Sequence, residues 1–591
     1  MRKRDTRSLS VNMRLRKDRA ITIFFILVIF LLGECVGLTS FTKPFFVTHD
    51  GDSHLARSFD ALEALSEGHF PLRWAGRLNG LCGAPIFNFF YPLVYYLVAG
   101  INLITNNVLF SWEIIFFATF IIGPIFFFLW LLKETENRFA GFIGALLYLF
   151  VPYRFLLVYV RGSPEFLAYT ILPVLLYQVS CLFSSLSLKK APLRNKKIWL
   201  QSFFVSVLGG LLITSHNLVV LIVAPVLLAW LIFKIYQEKI YKNAQARILL
   251  IIIGVSVLLI SSFFWGPMIL EQKHTKLATA NVFPYYQHFP TLRQLIRSPW
   301  GRWYSMPGTK DDGMSFMVGY AQWLVLAFTT LSLGYWLVKK DTRGLGIIIF
   351  WYFFTGVYLF LMLGRSVLIW QIITPMQRVQ FPWRFLGVTS FTIAAMIGFS
   401  INKLKSNSVK LLLVFVIVFL AIYGNRNHWK VVSVDDPALY QDFDHHPLRY
   451  SSTTVGDDII NPEFSDACDV NETFLVINGQ SFPNKPKRGN TYGLVEFDWP
   501  NEKTANINLN LAYFPGAYQI KVNDKELPGE AILNSRGRLR LETVYLKEGR
   551  NNISWQIVQS PKQRFFNYLS LSALIAWLGI LITNYVSTKK R

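Results

Sequence analysis

Acidic residues are scarce in this sequence: 35 Asp and Glu stand against 59 Lys and Arg, and charged residues make up only 16% of its 591 positions. Soluble globular chains carry closer to a quarter of their residues charged, so a wholly water-exposed surface is excluded. Cysteine is rare as well, with Cys35, Cys82, Cys181 and Cys468 standing far apart. That scatter excludes zinc-ribbon spacing and gives no framework of disulfides. The nine histidines include the adjacent pair His445–His446 but no His-x-x-x-His, so a helical zinc site is not expected. No basic groove with interleaved aromatics is visible, which argues against a nucleic-acid partner. No half of the chain repeats the other, which weighs against an inverted-repeat transporter.

Hydrophobic residues, by contrast, make up 53% of the chain and aromatics 16%. This is the composition of a polytopic α-helical membrane protein. Residues 1–19 carry eight Lys or Arg, and the apolar run 20–40 behind them has no small-residue cleavage site. It reads as a retained first span with a cytoplasmic N-terminus. Long uncharged runs follow at 166–188, 249–270, 318–338, 346–363 and 565–586, with shorter ones at 198–213, 218–233, 386–402 and 411–424. Basic loops (Lys189–Lys197, Lys234–Arg247, Lys339–Arg343, Lys403–Lys410 and Lys589–Arg591) mark the cytoplasmic side and place the C-terminus there. Residues 48–88, 161–165, 214–217, 271–315 and 425–563 then face outward. Between the first two outward loops the number of crossings must be even, yet hydropathy offers 88–106, 109–132 and 139–158. One of these fails to span, with 88–106 the leading candidate, and about twelve crossings result. Three charges, Glu34, Glu113 and Arg154, fall inside apolar runs and are functional candidates by their cost alone. Glu34 either faces the same cavity as Asp50 or reaches interfacial water.

The domain plan is a basic N-terminus (1–19), a transmembrane domain (20–424) with a first extracytoplasmic loop (41–88), an extracytoplasmic β-sandwich (425–563), and a last span with a basic tail (564–591). The β assignment rests on alternation, as in Ala505–Leu511, Tyr518–Val522, Arg538–Leu541 and Asn552–Ile557, with an Asn523–Asp524 turn. Trp499, Tyr513, Phe514 and Trp555 are read mainly as its core, with sugar stacking the alternative.

The stretch Thr48–Tyr96 crowds acidic, imidazole and guanidinium groups beside the membrane. Leu55, Phe59, Leu62 and Leu65 recur at helical spacing, so a helix is expected over Ser53–Glu67, lying along the membrane surface and stopped by Gly68. Asp52 then occupies the N-cap position. If the helix starts one residue earlier, Asp50, His54 and Arg57 share a face and can serve as base, proton partner and phosphate clamp. Arg161, Arg378 and Arg384 are outward arginines suited to a phosphate or to interfacial anchoring, and His216 is either a lining residue or a helix cap.

Three motif groups carry a resemblance: Thr48-His49-Asp50…Arg57, Gly68-His69-Phe70-Pro71-Leu72-Arg73-Trp74 and Pro85-Ile86-Phe87-Asn88-Phe89-Phe90-Tyr91-Pro92. So do Arg161-Gly162 with Glu165, Thr214-Ser215-His216-Asn217, Gln380-Phe381-Pro382-Trp383-Arg384-Phe385 and Tyr513-Phe514-Pro515-Gly516. Together they resemble the membrane proteins labelled 6-pyruvoyl-tetrahydropterin synthase-related, which are similar to YfhO-type proteins and to the wider GT-C glycosyltransferases. The pterin synthase of that label uses a histidine-bound zinc, and no such triad is visible here. The GT-C resemblance implies an essential acid in the first outer loop and inverting transfer of a sugar from a polyprenyl-phosphate donor. Asp50 is the match, with Asp52 beside it leaving the working carboxylate open. The implied partners are a lipid-linked sugar donor, membrane lipids and a glycan, lipid or protein acceptor at the plasma membrane. No cofactor is required, although a divalent cation, Mg or Mn, held by Asp50 or Asp52 stays open. The candidate site is thus Asp50, His54 and Asp52 for catalysis, with Arg57, Arg161, Glu165, His216, Arg378 and Arg384 for the donor. A flippase for lipid-linked saccharides and a scaffold presenting the β-domain are the rival readings.

Overall fold

The computed structural model describes residues 2–42, 46–187, 192–276, 284–308, 312–431 and 472–589, with side chains from Asp18 to Asn584. The His445–His446 pair, Cys468, Lys189–Lys190, Lys590–Arg591 and the 432–471 part of the expected β-domain lie outside the described residues. Nine described helices are long and apolar enough to cross a bilayer. Three helix pairs add bent spans, for up to twelve crossings: Arg138–Leu149 with Pro152–Arg161 (45°), Ala244–Ile260 with Ser262–His274 (63°), and Leu345–Leu361 with Gly364–Ile372 (92°). The first break falls at Pro152, which cannot donate into a continuing helix. The helix over 88–106 is only Leu93–Thr105, 13 residues. At about 1.5 Å per residue it reaches ~20 Å, short of a ~30 Å hydrocarbon core.

Burial sorts the spans. Pro382–Lys403 is 94% buried and forms the centre of the bundle, whereas Asn407–Asn425 and Pro561–Asn584 are each 11% buried and present apolar faces outward. Arg154 is buried, donates to Thr119 O at 2.7 Å and lies 4.6 Å from the Tyr148 ring centroid. The protein interior thus supplies the polar contacts that lipid cannot.

Among the described residues ten strands follow: β1 Leu475–Ile477, β2 Gln480–Phe482, β3 Lys487–Arg488, β4 Tyr492–Trp499, β5 Lys503–Ala512, β6 Tyr518–Val522, β7 Lys525–Glu526, β8 Ile532–Ser535, β9 Arg538–Leu546 and β10 Gly549–Ile557. They form two antiparallel five-stranded sheets, ordered β2-β1-β5-β9-β8 and β3-β4-β10-β6-β7. Asn523 and Asp524 both take positive φ, so their side chains suit the tight β6–β7 turn. Alternate residues of β9 and β10 are buried. Rings close the space between the sheets: Phe474 stacks on Trp555 at 5.3 Å, and Phe482 meets Phe497 and Trp499. Trp499, Phe514 and Trp555 are accordingly core residues.

The loop helix differs from expectation. It runs Gly51–Ser66, and nine of its 16 residues are buried, so it is an interior strut and not a surface helix. Its far end is bolted to the β-domain. Glu67 accepts from the Asn490 and Thr491 amides at 2.8 and 2.7 Å, and Asn490 Nδ2 donates to Asp60 O at 2.5 Å. Arg488 donates to the carbonyls of Gly76 and Leu81. Cys82 is disulfide-bonded, while Cys35 and Cys181 are free, so the sequence reading missed one covalent tie. The last span is held to the same corner by Glu271, which accepts from Ser560 and Gln563 at 2.8 Å each.

Candidate functional site

The start of the strut decides the site. Thr48 Oγ1 accepts from the Gly51 amide at 3.1 Å and so takes over the capping task. Asp50 occupies the N-cap position, but its side chain makes no cap hydrogen bond. The carboxylate instead points to Arg161, with Oδ2 3.1 Å from Nη2. Asp52 is therefore not the cap. It lies within the first turn and is not among the cavity-lining residues. The backbone fixes this arrangement, since the His49 and Asp50 amides donate to the carbonyls of Val160 and Arg161 at 2.9 and 2.8 Å. Gly162 closes the turn at φ +62, and a β-carbon there would collide with Thr48, which explains the Arg161-Gly162 pair.

Arg161 ends a π-helical turn, Leu156–Arg161, and bridges two carboxylates. Besides Asp50 it donates to Glu165 Oε1 at 2.5 Å, and Arg384 Nε lies 3.2 Å from the same oxygen. Glu165 is fully buried and also accepts from the Tyr153 hydroxyl at 2.9 Å. Trp383 lies beneath the Arg161 guanidinium at 5.1 Å. Arg384 is fixed further by Val379 O at 2.8 Å and Gln380 Oε1 at 3.1 Å.

These groups surround one cavity of about 1320 Å³. Asp50, His54, Arg57, Arg161, His216, Arg378 and Arg384 all line it, and Glu165 braces it from behind. Asp50, His54 and Arg57 meet because the helix begins at Gly51, which puts them on one face. Arg57 is 2% exposed, its guanidinium sits 4.4 Å from the Phe90 ring centroid, and among the described residues its Nε and Nη2 have no hydrogen-bond partner. Four guanidiniums against two carboxylates leave the site cationic. Glu34 does not line the cavity.

Burial disfavours the charged form of three imidazoles here, His49, His54 and His216. Burial lowers His54 well below its ordinary value, and Arg57 lowers it further; its Nδ1 meets the Tyr95 hydroxyl at 2.9 Å. Burial pushes His216 down to about 3, with Glu165 opposing. His216 Nδ1 accepts from the Val219 amide at 3.3 Å, so the ring is indeed a helix cap. Its proton then resides on Nε2, and the ring stacks on Tyr91 at 4.2 Å. Burial also lowers His49, whose Nε2 lies 3.1 Å from Arg302 O and whose ring stands 4.6 Å from Tyr304. Sequence reasoning missed Tyr91, Tyr304 and Gln287 as lining residues, since each lies in an irregular segment without a periodic signal. Among the described residues no three His, Cys, Asp or Glu side chains gather as a metal site. Among the described residues the Asp50 carboxylate is engaged by Arg161 and not by a cluster of further carboxylates or imidazoles.

Fold and cavity together define a multi-pass membrane protein with a cationic, carboxylate-bearing cavity beside a β-domain. The chain belongs to the 6-pyruvoyl-tetrahydropterin synthase related family of membrane proteins, whose profile matches residues 87–432. That stretch holds Arg161, Glu165, His216, Arg378 and Arg384, whereas Asp50, His54 and Arg57 precede it. No curated protein matches the chain. Among solved structures it is similar to the oligosaccharyltransferase of Archaeoglobus fulgidus in the apo form, with TM-score 0.42 and 12% identity over 73% of this chain and 60% of that one. It is also similar to the archaeal oligosaccharyltransferase AglB from Archaeoglobus fulgidus in complex with an inhibitory peptide and a dolichol-phosphate, with TM-score 0.40 and 11% identity over 74% and 61%. The chain thus spans about three fifths of the length of these structures.

Proposed function

We propose that the protein is a membrane glycosyltransferase that moves a sugar from a polyprenyl-phosphate-linked donor to an extracytoplasmic acceptor. The observation that carries this reading is the pairing, in one cavity, of a carboxylate on Arg161 with the buried, partly unpartnered guanidinium of Arg57. A buried guanidinium whose Nε and Nη2 lack acceptors among the described residues suits an anion, and a phosphate supplies acceptor oxygens for both. In the reaction the Asp50 carboxylate takes the proton of the acceptor hydroxyl. The acceptor oxygen bonds to the anomeric carbon as the bond from that carbon to the phosphate oxygen breaks, with inversion. The electron pair leaves on the polyprenyl phosphate, and Arg57, Arg378 and the Arg161–Arg384 pair balance its added charge. His216 contributes an N–H, and His54 positions Tyr95 and the face of the strut. Guanidiniums do here what a divalent cation does elsewhere.

The cavity and β-domain face the extracytoplasmic side in this reading. The disulfide at Cys82 suits an oxidising compartment, and the basic loops at the other ends of the spans suit the cytoplasm. The deciding experiment is mass spectrometry of lipid-linked sugars and surface glycans from cells with and without the protein. The expected result is loss of one glycan modification with accumulation of its lipid-linked donor; identical profiles would end the transferase reading.

A further inference from the structure

One part of the cavity is chemically unlike the rest. A β-bridge between Arg302 and Met314 supports the short segment that follows Arg302. The Trp303 amide donates to Gly313 O at 2.9 Å, and the Gly313 amide returns to Tyr304 O at 3.0 Å. Asp312 ties the segment down, accepting from the Met306 amide at 3.1 Å and from Gln294 Nε2 at 2.8 Å. A β-carbon on Gly313 would collide with Cβ of Trp303, so the glycine lets the two segments approach closely. On this fixed support Trp303 is 64% exposed and Tyr304 50% exposed. Tyr304 lines the cavity, and its ring stands 4.6 Å from His49, the residue adjoining Asp50. Gln287, Ser305 and Gln377 line the same cavity; the Ser305 hydroxyl lies 3.0 Å from His288 Nδ1, and Gln377 Nε2 donates to Trp370 O at 3.0 Å, which leaves its carbonyl oxygen as an acceptor.

Exposed rings on a braced support, flanked by amides and a hydroxyl, form a surface for a neutral polyol. Aromatic faces pack against the C–H face of a sugar ring, and neutral amides pair with its hydroxyls without the desolvation cost of a charge. From this juxtaposition of Tyr304, Gln287 and Ser305 with Asp50 in the lining, and of the exposed Trp303 ring 5.5 Å from Tyr304 just outside it, we infer that this lobe is a saccharide-binding subsite, and that the acceptor is a glycan or the sugar headgroup of a glycolipid. Its place in the reaction rests on the transferase reading; its capacity to bind sugars does not. A bilayer-interface role for the same rings is the competing outcome.

The test uses the full chain in lipid nanodiscs and a panel of neutral oligosaccharides: cellobiose, maltotriose, mannobiose and N,N′-diacetylchitobiose. Saturation-transfer NMR should show binding of at least one of them to the wild type and to Asp50→Asn. Trp303→Ala and Tyr304→Ala should weaken that binding at least fivefold, while Trp303→Phe and Tyr304→Phe, which keep a ring, should retain it. Absence of binding to the folded wild type, or binding unchanged in both Ala variants, overturns the inference. Ring-dependent binding combined with unchanged cellular glycans would retain the subsite and refute the transferase. Glycan changes in which the sugar is attached to a peptide would retain the transferase and overturn the glycan-acceptor inference.

Discussion

Replacing Asp50 by Asn separates chemistry from architecture. The carboxylate makes one described ion pair, to Arg161, and its own side chain is 40% exposed. Such a half-exposed pair contributes about 0–1 kcal/mol. Arg161 also keeps Glu165 at 2.5 Å, so it is not stranded. The Asn variant should therefore express, purify as a monodisperse peak and melt within a few degrees of the wild type. Removal of a positioned general base, by contrast, lowers the rate by about a hundredfold or more. At ~1.36 kcal/mol per tenfold this corresponds to at least about 2.7 kcal/mol on the barrier. The assay is transfer from a polyprenyl-phosphate sugar by full-length protein in membranes, with product read by mass spectrometry. Asp52→Asn is the internal control, because Asp52 does not line the cavity and should retain activity within about twofold of wild type, an ordinary surface-substitution effect. Full activity in Asp50→Asn would refute the base assignment. Equal loss in both variants would point to a shared role for the two carboxylates.

Glu165→Gln has the opposite profile: it leaves Arg161 and Arg384 buried around a neutral group, and breaking such a network costs about 3–5 kcal/mol. Its thermal transition should drop sharply, and an unchanged melt would show that Asp50 alone suffices. Asp60 is fully buried and burial raises its carboxyl from 3.8 to about 8, with Glu63 adding and Arg77 opposing. The folded form thus binds the proton more tightly, so this contribution to stability is complete below the unfolded value and is lost as pH rises toward 8. Asp60→Asn should flatten thermal stability between pH 5 and pH 8, and parallel profiles for the two proteins would contradict the burial argument. Transfer should survive EDTA within about twofold, since the charge-balancing groups are guanidiniums; abolition by chelator with rescue by Mg or Mn would overturn that. Finally, Phe70→Cys and Tyr304→Cys, each in a background lacking the four native cysteines, should react with an impermeant maleimide in intact cells, since both positions are exposed; reaction only after lysis would invert the proposed orientation.

Much of this protein was legible in one dimension. Span positions follow from uncharged length alone, because a bilayer core sets a fixed apolar requirement; Glu165–Ser187 and Tyr320–Val338 differ from the runs read in the sequence by two residues at most. Strands β5, β6, β9 and β10 were equally visible, since alternation reports a two-sided sheet directly. The face shared by Asp50, His54 and Arg57 was open to sequence reasoning because helical periodicity is local. What it did not settle was which aspartate caps, as that choice turned on Thr48 accepting from Gly51. The strut's burial, the Cys82 bond, and the meeting of Asp50 with Arg161 and of Glu165 with Arg384 came only with the tertiary structure. Those partners lie 111 and 219 positions apart, Asp50 in the first loop and the others on different spans, and no periodicity within either segment encodes the packing that joins them.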